Sequence, residues 1–328
     1  MLKQFDVIAL GELLIDFTEN SISSQGNPMF EANPGGAPCN VLAMLNRLGK
    51  KTSFLGVVGK DQFGAMLRKI LEEQNIDSSH LYEDAEVHTT LAFVHTFEDG
   101  DRDFAFYRNP GADLMLKEEQ VEEDYIRSAK AFHFGTLSMT HEEVRKATKK
   151  ALHIAKEEGL IISFDPNLRP PLWSSLELAK AQILYGISQC DLLKISEEEL
   201  EFVTGTTDVE KGADLLLKEN PDLKIMNVTL GKEGSMAFHE GRHIFHAPYI
   251  QENTIETTGA GDTFAACALN YVLEHGMTGL TDEELYEMLE FGNGAASLIT
   301  TKRGALRVMP QKAEVERFLK MRNSSFSE

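Results

Sequence analysis

The chain has 328 residues, of which 42% are hydrophobic and 26% are charged, a composition typical of a globular protein with a sizeable core. Its 52 acidic residues against 32 basic ones give a formal net charge of −20, and so acidic a surface repels nucleic acids and anionic membranes. No stretch reaches the ~18 consecutive apolar residues of a membrane span, and Cys39, Cys190 and Cys267 fit no disulfide framework or CxxC metal site, so we expect a cytoplasmic protein with reduced thiols.

Short apolar runs alternate with longer helical patterns along most of the chain. The runs predicted as strands are Val7–Leu10, Thr52–Val58, Ala131–Phe134, Leu160–Phe164, Leu192–Ile195 and Ile225–Thr229. The segments predicted as helices are Asn40–Leu48, Gln62–Gln74, Glu142–Glu158, Leu176–Ser188 and Asp208–Glu219. Several runs are apolar on both faces, as parallel strands covered by helices on both sides should be. The alternating order predicts an α/β fold built on a doubly wound sheet.

One region departs from this alternation. His88–Phe97 and Asp103–Arg108 are rich in β-forming residues, and the turn Glu98–Asp101 between them carries the Asp-Gly signal of a hairpin. The polar stretch from Leu13 to Asn33 could pair with that hairpin. We expect a small β-structure that projects from the main sheet and meets a ligand, another subunit, or both.

The segment Thr257–Asp262 places a Gly-Ala-Gly turn directly before a helix that is apolar on nearly every side. Such a helix is buried, so its free N–H groups and dipole point at one spot in a cleft, which is an anion site. The glycines let a phosphate touch the backbone. Asp262 is placed to accept a proton from an attacking hydroxyl. An ordinary capped helix with a glycine turn is the alternative interpretation.

A second glycine-rich segment is Gly35–Asn40, in which the glycines allow close approach of a ligand and Pro38 suits the first turn of a helix. The amide of Asn40 could bridge two hydroxyls. Upstream, Glu12 and Asp16 follow the first predicted strand, at the edge where open α/β sheets bind ligands. Carboxylates beside an asparagine suit the vicinal hydroxyls of a sugar, although Asp16 could also be an exposed residue that begins the hairpin region.

Positive side chains occur at other predicted cleft edges. Arg169 follows the run Leu160–Phe164, and Arg108 ends the hairpin. In so acidic a protein, such arginines indicate charge compensation for a bound phosphate, although each alone is more often part of a surface ion pair. Thr229–Gly234 follows another strand, and we predict a hairpin turn there, with a wall of a nucleotide site as the alternative.

Several common motifs are missing from the sequence. It contains no GxxxxGK[ST], which excludes a P-loop NTPase. A nicotinamide-dependent oxidoreductase would need GxGxxG after the first strand, where this chain has Gly11-Glu12-Leu13-Leu14, and Gly292-Asn293-Gly294 follows the helical stretch Glu283–Glu290. The ten histidines form no cluster of zinc ligands.

Together, Gly35-Gly36-Ala37-Pro38-Cys39-Asn40 and Thr257-Thr258-Gly259-Ala260-Gly261-Asp262 resemble the two signatures of the ribokinase-like (phosphofructokinase-B-type) carbohydrate kinases. The order and separation of the other motifs extend the resemblance over essentially the whole chain. It implies an ATP- and Mg²⁺-dependent sugar kinase with a mostly parallel sheet flanked by helices and a small β-sheet lid, which often forms a dimer interface. We therefore expect a single kinase domain over residues 1–328, with lid segments at about 13–34 and 86–112.

The resemblance also implies roles by position. Asp262 would be the catalytic base, and Gly259, Ala260 and Gly261 would form the anion hole for the transferred phosphoryl group. The residues expected to hold the sugar are Asp16, Gly35, Gly36, Asn40, Tyr107, Arg108 and Arg169. Those expected at the nucleotide are Lys194, Ser196, Thr229, Gly231, Gly234 and Asn293. Glu199 would act near Mg²⁺ without binding it directly.

A monovalent-cation site for K⁺ beside the anion hole is also implied. Its members would be Glu256, Thr258, Ile299, Lys302 and Gly304. Relatives usually carry Asp where this chain has Glu256, and the side chain that is one methylene longer would alter or replace the cation contact.

Within the family, three segments look most like fructokinases: Phe106–Asp113, Asp165–Arg169 and the Ala37-Pro38 pair. The sequence therefore predicts transfer of the γ-phosphate of ATP to fructose, giving fructose 6-phosphate. A 2-keto-3-deoxygluconate kinase and an aminoimidazole riboside kinase are the alternatives within the family. A catalytically silent regulator that binds a sugar or a nucleotide is the alternative of a different class.

Overall fold

A computed structural model describes residues 3–96 and 102–325. Its strands are β1 (Phe5–Leu10), β2 (Leu14–Ile22), β3 (Pro28–Gly35), β4 (Thr52–Gly59), β5 (Ile76–Asp84), β6 (Leu91–Thr96), β7 (Arg102–Tyr107), β8 (Ala129–Gly135), β9 (Ile161–Asp165), β10 (Leu192–Ser196), β11 (Ile225–Thr229), β12 (Ser235–His239) and β13 (Arg242–His246). Its α-helices are α1 (Ala37–Arg47), α2 (Gln62–Glu73), α3 (Glu123–Arg127), α4 (Glu142–Glu157), α5 (Leu176–Gln189), α6 (Glu197–Thr204), α7 (Val209–Glu219), α8 (Ala260–His275), α9 (Asp282–Ile299) and α10 (Lys312–Ser325).

The larger sheet has the strand order β13-β12-β11-β10-β9-β8-β1-β4-β5. Its strands run parallel from β11 to β5, whereas β12 and β13 are antiparallel additions at one edge. The strands and helices predicted from the apolar runs are all present, and the predicted doubly wound α/β sheet is confirmed. The structure adds β5 and β13, which the sequence patterns did not indicate, and β12 follows the hairpin turn predicted at Thr229–Gly234.

The two faces of this sheet bury separate halves of the core because successive side chains of a strand point to opposite faces. Val7 and Ala9 pack with residues of α1, α8 and α9, whereas Ile8 and Leu10 pack with residues of α4 and α5. Every residue of β4 is buried. The sheet is therefore covered on both sides, and ligands can reach it only at its ends.

Helix α8 is buried along most of its length, as the apolar sequence after Gly261 predicts. Its residues from Asp262 to Asn270 are all buried, and it lies between α1 and α9. Gly259 precedes it with φ 78°, a left-handed conformation that favours glycine. The N-terminus of α8 therefore opens toward the ends of the central strands and away from bulk water.

The smaller sheet has the order β3-β2-β6-β7. β6 pairs antiparallel with β7, as the hairpin prediction requires, and β2 pairs with both β3 and β6. The predicted turn Glu98–Asp101 lies outside the described residues. One face of this sheet carries an aromatic cluster, in which Phe17 and Phe93 stack with ring centroids 4.9 Å apart and Phe30 and Tyr107 pack on Phe93. Asp16 lies on the other face, toward the end of the large sheet.

Candidate active site

The centre of the site is a contact between α1 and the first turn of α8. Asn40 donates a hydrogen bond of 2.8 Å from Nδ2 to Oδ2 of Asp262, and both side chains are buried. The Oδ1 atom of Asn40 is buried and has no hydrogen-bond partner among the described residues. This oxygen can therefore accept a hydrogen bond from a ligand hydroxyl.

The surroundings of the Asp262 carboxyl group shift its pKa. Burial is the main cause that raises its pKa to about 6, and the charge of Asp165 adds to the shift. The hydrogen bond from Asn40 and the charges of Lys194 and Arg169 oppose it. A carboxylate with a pKa near neutrality is suited to general base catalysis.

A buried lysine faces the glycine turn. Nζ of Lys194, the middle residue of β10, lies 3.2 Å from Oδ1 of Asp165 at the end of β9. Burial alone would lower the pKa of Lys194, but the neighbouring carboxylates of Asp165, Glu199 and Asp262 raise it, so its ammonium stays charged. A Cβ added to Gly261 would lie 3.1 Å from Nζ of Lys194. The ammonium and the N-terminus of α8 thus direct positive charge at one place.

Two carboxylates follow β1 at the same end of the sheet. Oε1 of Glu12 accepts a hydrogen bond of 2.8 Å from the N–H of Ala37, the first residue of α1. Gly36 has φ 129°, and a Cβ there would lie 2.3 Å from the carbonyl oxygen of Glu12, so only glycine fits. Burial is the main cause that raises the pKa of Glu12 to about 7. Asp16 on β2 also has its pKa raised to about 7, mainly by burial.

These groups surround a cavity of about 320 Å³ between the small sheet and the N-terminus of α8. Of the residues predicted from the sequence, it brings together Asp16, Gly36, Asn40, Lys194, Arg169, Thr258, Gly259, Gly261 and Asp262. Phe106, Leu137 and Asn167 also line it. Residues that are far apart in the sequence therefore form one polar chamber.

A smaller cavity of about 60 Å³ adjoins this chamber and shares the side chains of Asp16, Asn40 and Thr258 with it. Gly35, Glu256 and Gly304, three further predicted residues, line only the smaller cavity. A Cβ added to Gly35 would lie 2.1 Å from Oδ2 of Asp16, so this glycine makes room for the carboxylate. Oε1 of Glu256 accepts a hydrogen bond of 2.7 Å from the N–H of Gly304.

A third cavity, of about 350 Å³, lies on the other side of the glycine turn and has Thr257 in common with the chamber. It is lined by Ala260 and by the predicted nucleotide residues Gly231, Gly234 and Asn293. The segment Thr229–Gly234 is the turn from β11 to the antiparallel β12, as predicted, and two of its glycines also line this cavity.

The side chain of Asn293 makes hydrogen bonds within the protein. Its Oδ1 accepts a hydrogen bond from Oγ of Ser235, and its Nδ2 lies 3.0 Å from Nδ1 of His246. The amide therefore joins α9 to β12 and β13. Thr229, another predicted nucleotide residue, directs its hydroxyl to the carbonyl of Ile195.

The structure does not bring Tyr107 or Arg108 to the chamber. Tyr107 is 66% exposed and belongs to the outer aromatic face of the small sheet, because its neighbour Phe106 faces inward. Arg108 is buried and donates from Nε to Oδ2 of Asp113 at 2.8 Å and from Nη2 to the carbonyl of Leu137 at 2.9 Å. The arginine predicted to bind the sugar is thus held in an internal ion pair.

Ser196 and Glu199 form a capping box at the start of α6. Oγ of Ser196 accepts from the N–H of Glu199, whose Oε2 accepts from the N–H of Ser196 at 3.0 Å. Oε1 of Glu199 accepts from the N–H of Leu168 at 2.6 Å. Both carboxylate oxygens are therefore bound to backbone, and Glu199 fixes the loop that carries Arg169.

The remaining residues of the predicted cation site form a turn. Ile299 is buried at the end of α9, and its carbonyl accepts a hydrogen bond of 3.0 Å from the N–H of Lys302. Nζ of Lys302 points to the carbonyl of Val308 at 3.4 Å. The carbonyl of Thr300 accepts from the N–H groups of Ile255 and Glu256.

Some lining residues could not be selected from the sequence. The alternation of β7 places Phe106 and Tyr107 on opposite faces of the strand, but the sequence does not indicate which face points toward the chamber. Leu137 begins a short 3-10 helix and Tyr249 lies in a loop, and neither belongs to a sequence motif. Their position depends on how distant loops meet at the end of the sheet.

The described residues contain three free buried cysteines and no group of three His, Cys, Asp or Glu side chains arranged to hold a metal ion. In the same residues, no helix has both the length and the apolar character needed to cross a bilayer.

A sequence profile of the pfkB family carbohydrate kinases matches residues 4–312. The chain is 40% identical to the protein named probable fructokinase-2 of Arabidopsis thaliana, over 96% of each chain. A crystal structure of a fructokinase of Xylella fastidiosa with bound ATP superimposes with a TM-score of 0.88 at 27% identity, covering 98% of this chain and 100% of that one. A double mutant of a fructokinase of Vibrio cholerae in a form bound to fructose, ADP and potassium ion gives a TM-score of 0.84 at 28% identity, covering 97% and 100%.

Proposed function

The chain belongs to the pfkB family of carbohydrate kinases, and we propose that this ATP-dependent sugar kinase is a fructokinase that phosphorylates the C6 hydroxyl of fructose. The observation that carries the proposal is the contact between Asn40 and Asp262 in a chamber that the glycine turn before α8 also lines. A carboxylate that can act as a base, an amide oxygen that can accept a hydrogen bond from a sugar hydroxyl, and an anion site therefore line one cavity of the size of a sugar.

Asp262 is the proposed general base. Its carboxylate takes the proton of the attacking sugar hydroxyl, and Asn40 holds the carboxylate through one amide hydrogen bond while its free Oδ1 accepts from a second sugar hydroxyl. Asp16 and Arg169 would bind the remaining hydroxyls from the opposite wall. The positioned alkoxide-like oxygen then attacks the γ-phosphorus in line with the departing ADP oxygen.

The N-terminus of α8 is the proposed anion hole. The backbone around Gly259, Ala260 and Gly261, together with Lys194, would offset the negative charge of the transferred phosphoryl group. The glycines matter because a side chain at Gly261 would approach Nζ of Lys194 and occupy the space of the phosphate. The cavity lined by Gly231, Gly234 and Asn293 would take the nucleoside.

Mg²⁺ fits this arrangement as an ion carried by the phosphates of ATP. Asp165 and Glu199 are the proposed acidic groups beside it, since both are close enough to Lys194 to raise its pKa. Both oxygens of Glu199 already accept backbone hydrogen bonds, which agrees with an indirect contact. When bound, the ion supplies positive charge that offsets the phosphate charge.

We propose that this chain does not depend on K⁺. Oε1 of Glu256 accepts the N–H of Gly304, and the carbonyls of Ile299 and Thr300 accept backbone hydrogen bonds. We therefore derive no step through a monovalent cation, although a relative was solved with a potassium ion. The hydrogen bond of Glu256 supports a loop that holds its shape without K⁺.

The small sheet is the proposed lid, and its outer aromatic face is the proposed dimer contact. Phe17, Phe30, Phe93 and Tyr107 form this face, on which Tyr107 and Phe30 are exposed. A second copy of the chain would cover it. Light scattering should then give twice the 36.6 kDa of one chain, and Tyr107→Glu should give the monomer. A wild-type monomer at micromolar concentration would contradict the proposal.

We also propose a cytoplasmic location, in keeping with three free buried thiols and the use of ATP. Fractionation that recovers the protein only with extracytoplasmic markers would contradict it.

The test of the proposed function is ADP release with ATP and Mg²⁺ against fructose, 2-keto-3-deoxygluconate and aminoimidazole riboside, with Asp262→Asn as the blank. Selective turnover of fructose, with the product shown by NMR to be the 6-phosphate, is the expected result. Selective turnover of either other substrate would overturn the assignment of fructose. Sugar binding in calorimetry without ADP release would favour a silent regulator.

A further inference from the structure

The small cavity beside the sugar chamber holds two carboxylates from distant parts of the chain. Asp16 comes from β2 of the small sheet, and Glu256 comes from the loop before α8. Asp16, Asn40 and Thr258 line both cavities, so a sugar in the chamber would lie next to this pair.

The position of Glu256 is fixed by the protein. Its Oε1 accepts the N–H of Gly304 at 2.7 Å, and the backbone N–H of Glu256 bonds to the carbonyl of Thr300. The carboxylate is therefore anchored at the wall of the cavity, and its charge acts on Asp16, whose pKa it helps to raise after the larger effect of burial.

The charges at the sugar end are predominantly negative. Arg169 is the cation that opposes the shift of Asp16. Lys194 is paired with Asp165, and Arg108 is paired with Asp113 away from the chamber. A ligand group that reaches from the chamber into the smaller cavity thus meets Asp16 and Glu256, with Arg169 as the counter-charge of Asp16 and Arg108 acting on Glu12. Positive charge is concentrated at the N-terminus of α8.

We propose that Glu256 is a specificity-determining residue, whose anchored carboxylate beside Asp16 makes the chamber accept uncharged and amino sugars and reject sugar acids. The proposal rests on the proposed function as a sugar kinase and adds the charge class of its substrate. An additional carboxylate in this low-dielectric space would be repelled by the anchored carboxylate of Glu256 and by Asp16 in its ionised form, whereas a hydroxyl would donate a hydrogen bond to either.

Three ligands that differ only at C1 separate charge from shape: fructose, 1-amino-1-deoxyfructose and 2-keto-gluconate. The variant is Glu256→Gln, because the amide oxygen can still accept the N–H of Gly304 while the charge is lost. The matched control is Glu283→Gln, which removes the same charge from an exposed position at the start of α9. Competitive inhibition constants against fructose, and KM for fructose, are measured for each protein.

In wild-type protein we expect the acid to inhibit at least about tenfold more weakly than the amine. Glu256→Gln should strengthen inhibition by the acid and weaken inhibition by the amine, about tenfold in their ratio. The control should keep the wild-type ratio. Thermal melting checks that the variant is folded.

A folded Glu256→Gln protein with an unchanged ratio would overturn the role of Glu256 while fructose turnover leaves the proposed function standing. A wild-type protein that phosphorylates the acid in preference to fructose would overturn both. If the variant does not fold, the wild-type ratio decides, and an acid that inhibits as strongly as the amine overturns the proposal.

Discussion

Asn40 and Asp262 are 222 residues apart in the chain and are joined by a buried hydrogen bond of 2.8 Å from Nδ2 to Oδ2. The bond connects the two glycine-rich segments, because Asn40 is in α1 after Gly36 and Asp262 is in the first turn of α8. It also leaves Oδ1 of Asn40 for a ligand. The proposed base and the residue that donates a hydrogen bond to it therefore come from distant parts of the sequence.

Asp262→Asn should lower kcat by about 10²–10⁴-fold, because the amide cannot take the proton of the attacking hydroxyl. The fold and the binding of ATP should be preserved, since the substitution conserves shape. Stopped-time assays of ADP release and calorimetric titration with ATP measure the two effects. Near-normal kcat in this variant would exclude Asp262 as the base.

The rate should rise with pH. Burial raises the pKa of Asp262 to about 6, and a general base acts only when it is deprotonated, so kcat/KM should fall as the pH drops below 6. Asp16, with a pKa of about 7, should broaden the rise. In Asn40→Ala the lower limb should move to higher pH, because the lost hydrogen bond favoured the charged carboxylate. If the lower limb of the pH profile does not move in this variant, Asn40 does not affect the pKa of the catalytic group.

Arg108→Ala should reduce the free energy of unfolding by about 3–5 kcal/mol, because it leaves the buried carboxylate of Asp113 without its partner. KM for fructose should change little in the protein that remains folded. Urea unfolding and steady-state kinetics test both statements, with Arg108→Lys as a milder variant that keeps the charge. An unchanged unfolding free energy with a KM raised tenfold or more would instead support direct sugar binding by Arg108.

Glu12→Gln should gain stability relative to wild type as the pH rises from 5 to 8. Burial raises the pKa of Glu12 from 4.5 to about 7, so the folded state binds more protons than the unfolded chain between these values, and wild-type stability falls as the pH increases through 7. Glutamine has no proton to lose and still accepts the N–H of Ala37. The gain should approach about 3 kcal/mol.

Calorimetric melting of wild type and Glu12→Gln at pH 5 and pH 8 measures this difference. Glu283→Gln, an exposed substitution, is the control and should show the same offset at both pH values. A constant offset for Glu12→Gln as well would contradict a raised pKa in the folded state.

Replacing KCl by tetramethylammonium chloride at equal ionic strength should change kcat/KM by less than about twofold. The reason is that Oε1 of Glu256 binds the N–H of Gly304 and fixes the loop without a cation. Glu256→Asp, whose shorter side chain weakens that bond, is the comparison and should lose activity in both salts. Strong activation of wild type by K⁺ would show that the loop needs the ion.

The sequence predicted the elements that rest on unbroken apolar runs and missed those without them. β4 and β8 are buried on both faces and were found, whereas β5 is a largely polar edge strand and was not. The polar stretch Leu13–Asn33, expected to pair with the hairpin, supplies β2, which pairs with β6. β6 begins at Leu91, three residues after the predicted start of the hairpin, and β7 begins and ends one residue before the predicted bounds. The predicted turn lies outside the described residues.

The glycine turn before α8 was predictable because it depends on local sequence. Gly259 can adopt the positive φ that the turn requires, and the apolar residues that follow it form a buried helix. The role of Arg108 was not predictable. Its partner Asp113 is only five residues away, but the ion pair forms because the chain between them turns back, which a charge pattern does not specify. The same holds for Tyr107, whose outward direction depends on which face of β7 meets the chamber.

By itself, the sequence determined the α/β fold, the two glycine segments and the chemical types of the site residues, since each follows from short-range periodicity, backbone freedom and side-chain chemistry. Only the tertiary structure decided which of them meet. The contact of Asn40 with Asp262, the anchoring of Glu256 by Gly304 and the pairing of Lys194 with Asp165 all join separate elements at the carboxyl end of one sheet. Such contacts depend on strand order and register, which arise from packing over the whole chain.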